Sequence, residues 1–206
     1  MAKKLFITAT NTNIGKTYAS VKILHKLGLK GIKVGAIKPI ETGVDNIPQD
    51  ASKLLTVVKQ YNKNFSKFTP KDICAYTFSM PAAPFCATSE NIDISKILDK
   101  IKELESLCDI LLIEGAGGLM VPINKNYFML DSIKELNCPT LLVTPSYLGC
   151  INETMLSINA LEQNNINYNW CVNLYKDKES FDSVTKPFYD AYFNRWEILD
   201  EYVDGL

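Results

Sequence analysis

The chain has 206 residues, 47% of them hydrophobic and 22% charged, and its 22 Lys+Arg against 23 Asp+Glu leave a formal net charge of −1. This length suits one ordinary domain, whose core needs neither disulfides nor metal to form. The near-neutral balance excludes a broad nucleic-acid or anionic-membrane footprint, which requires clustered Lys and Arg, and the composition is not that of a disordered chain.

Residues 5–7, Leu-Phe-Ile, predict a short strand that breaks into the polar string TATNTNIGKT at 8–17. Polarity at Thr8 arrives too early for a signal-peptide core. Tyr18, Val21, Leu24 and His25 then recur at helical spacing until Gly28. Residues 34–37 (VGAI) predict a second strand, closed by Lys38 and Pro39. Asp50 precedes Leu54, Leu55, Val57 and Val58 as a helix N-cap would. Residues 94–107 predict a helix with Ile94, Ile97, Leu98, Ile101 and Leu104 on one face. Strands follow at 110–113, ending on Glu114, and at 140–144, then a helix at 152–161 and a strand at 168–174. Phe188, Tyr189, Tyr192, Phe193 and Trp196 recur at roughly helical spacing, which predicts a helix packed on the core.

Continuous apolar runs, rather than alternating ones, mark strands buried on both faces. Strands alternating with helices predict an α/β domain with a mostly parallel sheet flanked by helices, spanning 1–206. The six cysteines (Cys74, Cys86, Cys108, Cys138, Cys150, Cys171) form no C-x-x-C pair and the one histidine is His25, so no Cys/His zinc site is expected. No apolar run approaches the roughly 20 residues of a membrane span. A soluble, cytoplasmic protein is predicted.

Three blocks carry chemistry. Asn13, Ile14, Gly15, Lys16 and Thr17 lie between the first strand and the first helix, the context a phosphate loop needs. Gly15 admits close backbone approach, Lys16 places a charge on terminal phosphates, and the Thr17 hydroxyl suits a Mg²⁺ position. The common spacing G-x-x-x-x-G-K-[ST] asks for glycine where Thr10 stands. The second block, ILLIEGAGG at 110–118, ends a buried strand on Glu114, in position to hold Mg²⁺ or orient its water, followed by Gly115, Gly117 and Gly118. The third, IKPIETG at 37–43, brings Lys38 to the same crevice. Each has a plainer reading alone: GKT by chance at a helix start, Glu114 merely ending a strand, Lys38 facing solvent. Together the two lysines imply chemistry in which negative charge develops on a γ-phosphate. The fold class is then P-loop NTPase-like.

With these blocks, with Tyr76, Thr77 and Phe78 followed by Pro81 and Pro84, and with LGCIN at 148–152, the chain resembles the dethiobiotin synthetase family from about residue 4 to residue 174. The resemblance implies a homodimeric ligase forming C–N bonds, with ATP, Mg²⁺ and CO₂ acting on 7,8-diaminopelargonate through a carbamate and a carbamic–phosphoric anhydride. It implies Lys16 and Lys38 as catalytic cations, and Thr17, Asp50 and Glu114 around Mg²⁺, with Asp50 equally readable as a plain N-cap. It implies nucleotide contacts from Asn13, Ile14, Gly15, Lys16, Thr17, Tyr18, Asp50, Glu114, Gly115, Ala116, Gly117 and Asn173. Thr12 and Thr42 would meet the diamine or carbamate, and Gly149, Cys150, Ile151 and Asn152 its carboxylate from the neighbouring subunit, chiefly through backbone N–H groups. The chain departs from the family pattern at Ala9, where a glycine is usual, at Asn13, where many relatives carry glutamate, and after Asn173. The last departure predicts looser discrimination among nucleoside triphosphates. A regulatory P-loop ATPase of the partition or septum-positioning type shares the architecture; such proteins usually carry an extra early lysine, which residues 9–14 lack, and the tail at 196–204 is acidic.

Overall fold

A computed structural model describes residues 3–175 and 177–206. In chain order the elements are β1 (Lys3–Ala9), α1 (Lys16–Leu29), β2 (Val34–Ile37), β3 (Ile40–Thr42), α2 (Gln49–Tyr61), β4 (Tyr76–Phe78), α3 (Pro84–Ala87), α4 (Ile94–Glu105) and β5 (Ile110–Glu114). There follow β6 (Pro122–Asn124), β7 (Tyr127–Phe128), α5 (Met129–Leu136), β8 (Thr140–Thr144), α6 (Cys150–Gln163) and β9 (Tyr168–Val172). The chain ends with α7 (Lys178–Ser180), α8 (Lys186–Tyr192), β10 (Glu197–Ile198) and α9 (Leu199–Asp204).

Six strands form one parallel sheet in the order β10-β9-β8-β1-β5-β2. Its inner strands are buried along nearly their whole length, as continuous apolar runs require. Helices cover the sheet: α2 and α9 pack against α1, α4 packs on β2 and β5, and α6 on β8. The buried apolar side chains join in one cluster reaching from Phe6 to Val203.

The register positions the site. β5 lies between β1 and β2, with Glu114 opposite Ile7 and Ile113 opposite Ile37. The loop after β1, the acid ending β5 and the lysine following β2 therefore emerge side by side, about 5 Å apart per strand. This is the carboxyl-end crevice in which open α/β sheets bind ligands.

The predicted elements hold with shifted ends. β1 runs past Thr8, because Thr8 and Ala9 pair with Leu142 and Val143. Ala9 is buried in this strand and is not among the residues with positive φ, so glycine's freedom is not required there. α1 begins two residues before Tyr18 and α6 two residues before the expected start at Asn152, while α4 stops at Glu105 and β9 at Val172. The N-cap expected at Asp50 is a correction: the cap is Pro48 and Asp50 lies in the first turn of α2. The aromatic tail does pack on the core, with Phe181 and Tyr189 buried, although Trp196 lies beyond α8 and stacks on Trp170.

Candidate active site

The loop between β1 and α1 reaches the helix through two left-handed residues, Asn13 (φ 61°) and Gly15 (φ 106°). Asparagine tolerates this region better than glutamate, which gives a local reason for Asn13. Gly15 is needed twice over: a Cβ there would collide with the Asn173 amide. The first N–H groups of α1 have no intrahelical acceptors and face the cleft as an anion site.

Lys16 is buried, and its Nζ donates to the Asn11 carbonyl at 3.0 Å. Burial, and then the nearby Lys38 charge, lower its pKa to about 8. Thr17 Oγ1 donates to Glu114 Oε1 at 2.7 Å. Lys38 Nζ donates to the same oxygen at 2.8 Å and to the Gly115 carbonyl at 2.9 Å, and stands 3.6 Å from Asp50. Burial alone would depress Lys38, but Glu114, Asp50 and Glu41 outweigh it and hold its pKa above the ordinary lysine value. One network thus joins residues from β1–α1, β2, α2 and β5.

Glu114 is fully buried, and its Oε2 has no hydrogen-bond partner. A buried carboxylate oxygen left unpaired is costly unless a cation or water approaches it. With Thr17 and Asp50 it makes an all-oxygen donor set of two carboxylates and a hydroxyl, which fits Mg²⁺ completed by phosphate and water oxygens.

A cleft of about 850 Å³ opens over this network. Of the residues predicted from sequence it is lined by Thr12, Asn13, Gly15, Lys16, Thr17, Tyr18, Lys38, Thr42, Asp50, Ala116 and Gly117. Glu114 and Gly115 do not line it and border a separate apolar cavity with Phe6, Ile101 and Met129. The Ile14 side chain is in the core, so only its backbone faces a ligand, and its carbonyl accepts from Asn173 Nδ2 at 2.8 Å. Asn173 borders an adjoining cavity of about 340 Å³, shared with Gly15, Tyr18, Tyr175, Ile198 and Leu199. The turn at 115–118 lies hard against the loop: a Cβ at Gly118 would sit 2.6 Å from the Thr10 carbonyl oxygen.

Gly149, Cys150, Ile151 and Asn152 line neither cavity. The Cys150 thiol is buried against Thr185 (3.7 Å) and Tyr189 (3.8 Å), so this segment offers backbone rather than sulfur. Sequence reasoning missed Glu41, which lines the cleft and accepts the Asp50 and Ala51 N–H groups. It also missed Glu153, which ties Thr10 to Tyr147. Both act between distant elements, and only Glu41 stood within a block already singled out.

A family model described as an AAA domain matches residues 3–185. The ATP-dependent dethiobiotin synthetase of Sulfurovum sp. is 56% identical over 193 residues, 93% of this chain and 92% of that protein. The Wolinella succinogenes enzyme of the same name is 36% identical over 99% of this chain and 96% of its own length. Among solved structures, a Borrelia burgdorferi plasmid partition protein superposes with a TM-score of 0.56 at 12% identity, covering 100% of this chain and 99% of its own. The Aquifex aeolicus cell division protein MinD superposes at 0.51 and 19% identity, covering 92% and 78%. Those two likenesses are of fold.

Proposed function

The chain belongs to the ATP-dependent dethiobiotin synthetase family, and we infer from that membership and from the cleft a ligase that closes the ureido ring of dethiobiotin from 7,8-diaminopelargonate, CO₂ and ATP. One amine of the diamine takes up CO₂ as a carbamate and releases a proton. The carbamate oxygen attacks the γ-phosphorus, and ADP leaves. The second amine then attacks the carbonyl carbon and expels phosphate, closing the ring as it loses its proton.

No step calls for a protein nucleophile. The chain's part is positioning and charge, the terms that dominate phosphoryl transfer. The observation that carries the reading is the buried Lys38 ammonium, fixed by Glu114 and the Gly115 carbonyl beside the phosphate loop. Its raised pKa keeps it a cation rather than a base. In this reading Lys16 and the α1 N–H groups hold the triphosphate, and Lys38 faces the carbamate and γ-phosphate. Thr12 and Thr42 orient the diamine end. Thr17, Asp50 and Glu114 would hold Mg²⁺, which when bound would neutralise developing phosphate charge. The cavity beside Asn173 receives the nucleobase.

The α6 N-terminus lines neither cavity, Leu148 is 84% exposed, and a Cβ at Gly149 would meet nothing within 4 Å. This supports a homodimer in which Gly149–Asn152 backbone groups serve the partner's cleft. The six cysteines are unpaired, in keeping with the reducing cytoplasm; among the described residues no helix is long and apolar enough to cross a membrane.

Incubation of purified protein with MgATP, ¹³C-bicarbonate and the diamine tests the reading. Dethiobiotin carrying the label is expected, and unlabelled or absent product would overturn it.

A further inference from the structure

Glu41 lines the cleft but has no part in the chemistry above. It is buried, and both of its carboxylate oxygens are occupied: Oε1 accepts from the Asp50 N–H at 2.9 Å and Oε2 from the Ala51 N–H at 3.0 Å. These donors belong to the first turn of α2, where no intrahelical acceptor exists. The helix's own N-cap, Pro48, offers no side-chain acceptor, and the first intrahelical bond runs from the Ser52 N–H to the Pro48 carbonyl at 2.9 Å. The cap therefore comes from a separate strand, with a negative charge at the positive end of the helix.

That origin matters for geometry. A local cap would hold α2 only to itself. A cap from β3 ties α2 to the segment that follows Lys38, and β3 is itself fixed by the pairing of Glu41 with Thr77. The amide that Glu41 grips is that of Asp50, whose carboxylate stands 3.6 Å from Lys38 Nζ. Each Glu41 oxygen is already committed to a backbone N–H of α2, so from its place in the wall the carboxylate holds the helix start.

We propose that Glu41 is a positioning residue of the metal site, holding the first turn of α2 so that Asp50 stands beside Lys38, which in turn contacts Glu114. The proposal rests on the reading of Asp50 as a Mg²⁺ ligand. Substituting partners behind a metal ligand typically weakens metal affinity by about 10–100-fold.

The test is the gain in ATP affinity that Mg²⁺ confers, measured by titration calorimetry on the full chain, with thermal melting of each variant. Glu41→Ala should lose about 10–100-fold of that gain while Mg²⁺-free ATP binding is unchanged. Glu41→Ala combined with Pro48→Asp supplies a local cap, and should recover the melting temperature but not the Mg²⁺ gain. In an Asp50→Ala background, Glu41→Ala should remove nothing more. An unchanged gain in Glu41→Ala overturns the proposal, and so does full recovery in the doubly substituted chain, which would make Glu41 only a helix cap. Further loss in the Asp50→Ala background would make Glu41 a ligand and likewise overturn it. An unchanged gain in Asp50→Ala alone would remove the metal reading of Asp50, and this proposal with it.

Discussion

Lys16 and Lys38 share one crevice but differ in what offsets their burial. Lys38 keeps its charge because three carboxylates oppose desolvation. Lys16 lacks so close an acid; its Nζ meets a backbone carbonyl, and its pKa falls to about 8. In the unfolded chain Lys16 keeps its proton up to about 10.5, so between those values the unfolded chain binds more protons and this group makes stability rise with pH. A bound triphosphate favours the charged form. Nucleotide binding just above pH 8 should therefore take up a proton, seen as buffer-dependent heat in calorimetry; heat independent of buffer ionisation would contradict the assignment. Lys38→Ala or Lys16→Ala should raise the turnover barrier by about 3–4 kcal/mol, as loss of one preorganised charge-stabilising group does. Folded variants with parental turnover would remove that lysine from the mechanism. These lysines, Thr17 and Glu114 were legible in sequence because each ends an apolar run or opens a helix. Asp50 was legible only as an acid near a helix start, because its contact with Lys38 exists only once α2 packs beside β2.

At the scale of elements, legibility followed length and apolar continuity. β2 and β8 were read to the residue because buried strands are apolar runs bounded by turns. β10 has two residues and α9 six, too few to show a period. Yet this end of the chain walls the cavity beside Asn173 through Ile198, Leu199 and Asp200. α9 lies along α1, with Lys22 paired to Asp200 and Lys26 to Asp204 at 3.2 Å. Those pairs are solvent-exposed and hold the helix weakly, each about 0–1 kcal/mol. The buried Leu199 and Val203 supply the stronger anchor. Leu199→Ala should cost about 2–5 kcal/mol of stability and raise the KM for nucleotide more than it lowers kcat. A raised KM with unchanged melting, or the reverse, would separate the wall from the anchor and contradict this dual role. Ile198, Leu199 and Asp200 border the cavity beside Asn173, so substitutions there are expected to change base selectivity.

Across the whole molecule, strand order does what sequence order cannot. Residues 16, 38 and 114 meet because β5 inserts between β1 and β2 and all three strands point the same way. The alternation of strands and helices made a parallel sheet legible, but the order of its strands was not, since that is a choice among right-handed crossovers. The fold is shared with a plasmid partition protein and a cell division protein, and fold alone does not select among functions. Thr17 and Lys38 both donate to Glu114, which joins the phosphate loop to the Lys38–Asp50 pair, and in the proposed function Lys38 is the second cation beside the γ-phosphate. The most direct test is phosphate release from MgATP and bicarbonate, measured with and without 7,8-diaminopelargonate. Release that requires the diamine, matched mole for mole by dethiobiotin, is the predicted result; release at the same rate without diamine would contradict the account.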